Sequence, residues 1–464
     1  MNKVFHFSQF TADCRSDDHV VCFEGKWSDG KYKNWKDFLI DTAKMRSYIS
    51  KQEWKDCIIH TDDSWYFIVT YCALMQCKKI VYLAANVSPG FLAEIHTDKN
   101  GLMADSPLPN SISIQEVLKN AAEPREEEYR NFDKIGDDNI FYIYTSGSTG
   151  VPKAIHSRLK AYEANNDFNL NQWLSLYGDA KFIDTVSQCH SYGVAYTIQI
   201  PFAAGIPFRR RRIELPEEFE DFTDSKYVLV TVPAFLKRAH EDKQVSAFRP
   251  CWIYTSGGML SYDVAKGADE QFGMWPVEMY GSTETCGVGW RQSKNGQEWI
   301  PFIGAEIWKT EDGCLGVKSP CVNDPNGFVI KDLVDILPDG RFLMHGRADS
   351  IVKIEEKRIS LLEVENRLTS SGLVRDVSVV ALSSNIRQYL AAVISLNKEG
   401  KEKFEGKSKV EMNRYFHDFL LQYFENVVIP KKWRFMDEIP MDRQGKKKKL
   451  EIQALFAEKS TEGK

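Results

Sequence analysis

Residues 141–157, FYIYTSGSTGVPKAIHS, run an apolar stretch directly into Thr145, Ser146, Gly147, Ser148, Thr149 and Gly150, with Lys153 three residues further on. Four hydroxyls, two glycines and an ammonium on one tight loop make a polyphosphate site. The glycines let backbone N–H groups close on the anion, the hydroxyls donate further hydrogen bonds, and the lysine adds positive charge. Two common phosphate loops are excluded, because no Gly-Lys-Ser/Thr follows at the required spacing and no GxGxxG fingerprint is present. Taken alone, the segment also reads as a Ser/Gly-rich connecting turn.

Further segments carry the same kind of chemistry. MYGSTETCG (279–287) offers Tyr280, Gly281, Ser282 and Thr283, then Glu284, whose carboxylate suits a Mg²⁺ ion riding on phosphates. SQCHSYGV (187–194) presents His190, Tyr192 and Gly193, and Ser256, Gly257 and Gly258 follow the apolar run at 252–254. LPDGRFLMHGRAD holds a Pro-Asp-Gly turn, Arg347 and Asp349 in a charged stretch of the kind that marks a hinge. IPMDRQGKKKKLE presents Gly445-Lys446 with three more lysines, 447–449, which read as a solvated basic tail.

In this order the segments resemble the adenylate-forming superfamily of acyl-CoA synthetases, aryl-CoA ligases, luciferases and peptide-synthetase adenylation domains. The resemblance covers roughly residues 60–460: TSGSTGVPK, then YGSTE 135 residues later, GRADSIVK, and finally Gly-Lys. It implies a two-step reaction, in which a carboxylate attacks the α-phosphate of MgATP to give an acyl-AMP and pyrophosphate, and a thiol of CoA or of a carrier-protein phosphopantetheine then takes the acyl group. On this resemblance Thr145 to Lys153 embrace the β- and γ-phosphates, and Thr149 and Glu284 lie close to Mg²⁺. Tyr280 to Thr283 belong to the nucleotide site, Asp332 binds the ribose hydroxyls with Arg347 beside it, and Asp349 is the hinge of a mobile small domain. Lys446 is the catalytic lysine: two anions must meet, and a preorganised cation stabilises the charge that grows as they do.

The resemblance assigns His190, Tyr192, Gly193, Ser256, Gly257 and Gly258 to the acid pocket. The Phe-Asp element of amino-acid-activating relatives is not visible, so an α-amino acid is disfavoured. The aromatics Tyr192, Tyr196 and Trp252 suggest a compact pocket for an aryl acid such as a hydroxybenzoate, with a short- or medium-chain acyl acid as the other option. One departure bears on the thiol step: Glu356 stands where CoA-using relatives commonly carry a Gly beside the pantetheine arm. A catalytically impaired ATP-binding regulator and a serine acyl-hydrolase are the competing functions. For the latter, Ser157-Arg158-Leu159-Lys160 spells SxxK but lacks its companion motifs.

These loops need a frame. From Cys57 onward, β-rich runs at 80–83, 140–144, 182–186, 227–232 and 252–254 alternate with helical patterns at 64–76, 158–177 and 233–240, which predicts layered α/β with mostly parallel strands. In that architecture ligands gather at the carboxyl ends of strands. After Gly346, a capping box at Ser360 and Glu363 opens a helix, a hairpin pair follows, and an amphipathic helix spans about 409–424. The expectation is a large N-terminal domain, 1–346, of adenylate-forming α/β type and a smaller α+β domain, 347–464.

Composition sets the outer limits. With 43% apolar and 27% charged residues the chain is built to fold, and a net charge of −5 gives no basic field for nucleic acid. Arg209 to Arg212 form a local basic cluster, read either as a solvated strand edge or as a docking patch for CoA phosphates or an acidic carrier protein. The longest apolar run, 65–75, is too short for a membrane span, and no signal peptide precedes it, so a cytoplasmic address is expected. The ten cysteines show no CxxC pair and read as reduced, mostly buried small hydrophobes.

Overall fold

The computed structural model describes residues 3–132, 134–146, 152–242, 247–348, 351–354, 357–383, 388–441 and 447–457. They form two compact units. The first comprises 1–308, 316–329 and 337–342, and the second 309–315, 330–336 and 343–464.

In the first unit two sheets carry the architecture. A six-stranded sheet is ordered Ile112–Ser113, Gly101–Ala104, Asp56–His60, Ile80–Leu83, Ile140–Ser146, Pro152–Arg158; all neighbours are parallel except the last pair. A nine-stranded sheet has a parallel centre, with Val277–Ser282, Trp252–Thr255, Tyr227–Thr231, Lys181–Asp184, Phe208–Arg209 and Val20–Phe23 side by side. Antiparallel strands close both of its margins.

The central strands read as continuous apolar runs because both of their faces are covered. Every residue of Gly101–Ala104, Lys181–Asp184 and Tyr227–Thr231 is buried. The helix Ser64–Gln76 explains the longest apolar run: all of its residues but Tyr66 are buried within the core, and no described helix is long and apolar enough to cross a membrane. Leu159–Tyr177 forms the long helix expected there, ending at Gly178 with φ of 58°.

The second unit has its own core, built on the hairpin Val374–Ser383 and Gln388–Leu396 with Lys432–Phe435 added in parallel. The Ser360 side chain caps the helix Leu361–Thr369 by accepting from the Glu363 N–H at 3.3 Å, as the sequence predicts. Phe416 and Leu420 of the helix Lys409–Leu421 are buried with Val364, Leu368 and Ile394.

Candidate active site

The parallel strands of the first unit deliver their loops to one edge. Ser256 follows Trp252–Thr255, the Thr283-Glu284 turn follows Val277–Ser282, and the segment up to Gly193 follows Lys181–Asp184. This is the edge at which such sheets bind ligands. Two contacts tie the loops together: the Ser191 and Thr283 hydroxyls lie 3.3 Å apart, and the Ser256 hydroxyl donates to the Met279 carbonyl at 2.8 Å. The segment carrying His190 is also anchored to the other sheet, since the Gln188 amide donates to the Thr61 carbonyl at 2.8 Å and the Thr61 hydroxyl at 3.0 Å.

Close backbone approach explains two of the glycines. A Cβ on Gly281 would sit 1.8 Å from the Cys286 carbonyl oxygen, and one on Gly193 would sit 1.9 Å from that of Ser187. The turn after Gly281 is fastened by Thr285, a buried residue whose hydroxyl accepts from the Ser282 N–H at 3.0 Å. Glu284 stands half-buried on that turn. Tyr280 packs its ring against Trp299 and Phe342, at 5.4 and 5.9 Å.

The strands that flank the Gly-rich segment, Ile140–Ser146 and Pro152–Arg158, pair antiparallel. Thr145 pairs with Lys153 and its hydroxyl donates to the Lys153 carbonyl at 3.3 Å, while the Lys153 side chain is exposed. Ser146 ends the first strand. Gly147, Ser148, Thr149 and Gly150 lie outside the described residues, as do Asp349, Glu356, Gly445 and Lys446. In the second unit, Asp332 is buried and lies 3.8 Å from Arg347.

Thr145 and Ser282 stand near the carboxyl ends of their strands, and Ser191, Ser256, Thr283 and Glu284 on loops that follow strands. Hydroxyls and a single carboxylate are the donors that would suit a magnesium–nucleotide, whose metal takes one or two carboxylates plus phosphate oxygens.

Several expectations change. Trp252 begins its strand, away from the ligand edge, and packs on Trp173 at 6.0 Å; Tyr196 is 4% exposed and packs edge-on to Tyr254. Both belong to the core. Tyr192 stays half-buried with its ring 4.8 Å from that of Tyr196. The arginine run is not a single solvated edge or patch: Arg209 pairs with Glu218 at 3.3 Å, Arg210 with Asp63 at 2.7 Å, and Arg212 with Asp62 at 2.6 Å, while Arg211 is exposed. Lys447 is no solvated tail either, being half-buried among carboxylates of the second unit.

Sequence reasoning missed Gln188, Thr285, and Asn165, whose side-chain oxygen accepts from the Gly287 N–H at 3.1 Å. It also missed Asp184, buried where its strand meets the ligand edge. Burial pushes the Asp184 carboxyl up to about 7, against the opposing pull of Arg209 and Arg212. Single polar residues of this kind leave no spacing pattern to read.

Comparison with known proteins agrees with the layout. The sequence pattern of the AMP-binding enzyme family matches residues 66–312. The chain is 24% identical over 411 residues to p-hydroxybenzoic acid–AMP ligase FadD22 of Mycobacterium tuberculosis, covering 77% of this chain and 56% of that protein. It is 24% identical over 375 residues to malonate–CoA ligase of Arabidopsis thaliana, covering 69% of this chain and 61% of that protein. The chain thus spans little more than half the length of these curated relatives. Among solved structures, ATP-bound MatB from Rhodopseudomonas palustris superposes with a TM-score of 0.78 at 15% identity, over 97% of this chain and 98% of that one. A benzoate CoA ligase from Burkholderia xenovorans gives 0.76 at 15% identity, over 97% and 100%. With the family pattern matched across more than half of its length and this fold around it, the chain belongs to the AMP-binding enzyme family, within the adenylate-forming superfamily.

Proposed function

We propose that the chain is an AMP-forming acid–thiol ligase. It activates a carboxylic acid with ATP to an acyl-adenylate and pyrophosphate, then passes the acyl group to a thiol of CoA or of a carrier-protein phosphopantetheine. The observation that carries this reading is the convergence of the HSYG, SGG and GSTE loops on one sheet edge, knit by the Ser191–Thr283 contact, in a chain of this family.

Each residue has a role in this reading. The segment from Thr145 to Lys153, Thr149 included, takes the phosphates, and Tyr280 to Thr283 shape the nucleotide site. Asp332 and Arg347 take the ribose. Thr149 and Glu284 hold Mg²⁺, which neutralises phosphate charge. Lys446 brings an ammonium to the point where the carboxylate meets the α-phosphate, and Asp349 serves as the hinge. His190, Tyr192, Gly193 and the Ser256-Gly257-Gly258 turn border the acid, which we take to be an aryl acid such as a hydroxybenzoate, or a short- or medium-chain acyl acid. FadD22 and the benzoate ligase support the aryl option by their names; the malonate ligase supports the acyl one.

The test is ATP–pyrophosphate exchange across aryl, short-chain and medium-chain acids, followed by thioester detection with CoA and with a carrier protein. Acid-dependent exchange supports the reading. ATP binding without exchange for any acid in the panel would replace it with a nucleotide-binding regulator.

A further inference from the structure

Asn165 lies inside the helix Leu159–Tyr177 at 1% exposure, where its side chain is a burden on stability. Asparagine is a weak helix former, and its Nδ2 has no partner among the described residues, which leaves a buried amide half satisfied. Its Oδ1 is engaged: it accepts from the Gly287 N–H at 3.1 Å, from a residue 122 positions away.

That N–H belongs to the root of the Thr283-Glu284 turn. Gly281 pairs with Gly287 and Ser282 with Cys286 on the two arms, and Thr283 and Glu284 lie between them. Cys286 has a φ of 51°, left-handed for a residue with a β-carbon, and such conformations persist only where the surroundings over-determine them. Thr285 fastens the turn from within, since its hydroxyl accepts from the Ser282 N–H at 3.0 Å and donates to the Cys286 carbonyl at 3.2 Å. Asn165 fastens it from outside, at the residue directly after the strained one.

The helix has a second attachment. The strand that follows the Gly-rich segment, Pro152–Arg158, runs straight into Leu159–Tyr177. One helix is therefore continuous with the strand bearing Lys153 and bonded to the turn bearing Glu284, the two groups that the proposed reaction sets on one polyphosphate and its metal.

We propose that Asn165 is a positioning residue for the metal-binding carboxylate: its hydrogen bond to Gly287 keeps the turn in the conformation from which Glu284 meets the magnesium of a bound nucleotide. The proposal rests on the reading of Glu284 as that carboxylate. Groups that orient a metal ligand from behind contribute about ten- to a hundredfold in metal affinity or activity, which is the leverage available to a single latch.

The experiment is calorimetric titration with MgATP, which needs no acid, on the full chain carrying Asn165→Leu, Thr285→Val, Asn166→Leu, Glu284→Gln or the pair Asn165→Leu/Glu284→Gln, with thermal melting of each. Asn165→Leu should weaken MgATP binding by about ten- to a hundredfold. Asn166→Leu is the matched control: it removes a fully buried amide from the same helix whose Nδ2 donates to Gln199 at 3.4 Å, so it should alter melting while keeping the parent's affinity. Should Asn165→Leu fail to fold, Thr285→Val carries the same expectation for binding. In the pair, Asn165→Leu should add nothing to the loss caused by Glu284→Gln. Parental affinity in folded Asn165→Leu, or in Thr285→Val where it stands in, beside a weakened Glu284→Gln would overturn the latch alone. So would an additive loss in the pair, or an equal loss in Asn166→Leu. Undiminished binding in Glu284→Gln would remove that carboxylate from the metal and the latch with it, and a parent chain that binds no MgATP would overturn the proposed function as well.

Discussion

Arg210 grips both carboxylate oxygens of Asp63, Nη2 to Oδ2 at 2.7 Å and Nε to Oδ1 at 3.2 Å, and so joins the two sheets of the first unit. Asp63 follows Asp56–His60 of one sheet and Arg210 follows Phe208–Arg209 of the other. The carboxylate also caps the helix Ser64–Gln76 through the Trp65 N–H, and the Ser64 N–H donates to the Arg210 carbonyl at 2.7 Å. Asp63 is 2% exposed and Arg210 15%. Arg210→Met would leave a buried carboxylate without its cation, and urea unfolding should show a loss of about 3–5 kcal/mol. A loss below about 1 kcal/mol is what exposed pairs give, and would reduce this clasp to a surface ion pair.

Asp184 should write a pH dependence into stability. Its carboxyl is pushed up to about 7 by burial, whereas in the unfolded chain it titrates near about 3.9. Between those values the folded state binds a proton that the unfolded state has released. Stability therefore falls as pH rises through this window, and the loss is complete above about 7. Denaturation midpoints measured from pH 4 to pH 8 should flatten in Asp184→Asn. An unchanged slope would mean that the carboxylate is better solvated than its burial indicates.

Gly281→Ala should weaken nucleotide binding. The new methyl would meet the Cys286 carbonyl at 1.8 Å, so the turn bearing Thr283 and Glu284 must open to admit it. Calorimetric titration with ATP would register the effect, and an affinity equal to the parent's would detach this turn from the nucleotide.

Lys446→Ala should cut acid-dependent pyrophosphate exchange by about a hundred- to a thousandfold, the range for removing one preorganised donor from a charge-developing centre. Thermal melting should scarcely change. Unaltered exchange would remove this residue from the chemistry.

Much of the frame was legible because burial on both faces writes itself as unbroken apolar runs. Ile80–Leu83, Tyr227–Thr231 and the helix ending at Gly178 fall within a residue of where hydrophobic period and turn chemistry put them. The hydroxyl- and glycine-rich loops were legible for a related reason, since phosphate chemistry needs those residue types contiguous. What escaped was pairing at a distance. Nothing near Arg210 and Arg212 announces Asp63 and Asp62 as their partners, and nothing beside Lys447 points seventy positions back to the Val377 carbonyl. Trp252 misled because an aromatic next to a ligand turn looks the same in one dimension whether it begins its strand or ends it.

The interleaving of the two units has a practical side. Residues 309–315 and 330–336 cluster with 343–464, so the polypeptide changes allegiance several times before it commits to the smaller body. No single cut can separate the two cleanly. A fragment ending at 346 would be cut inside the strand Phe342–Arg347, keeping Asp332 while discarding Arg347, 3.8 Å from it.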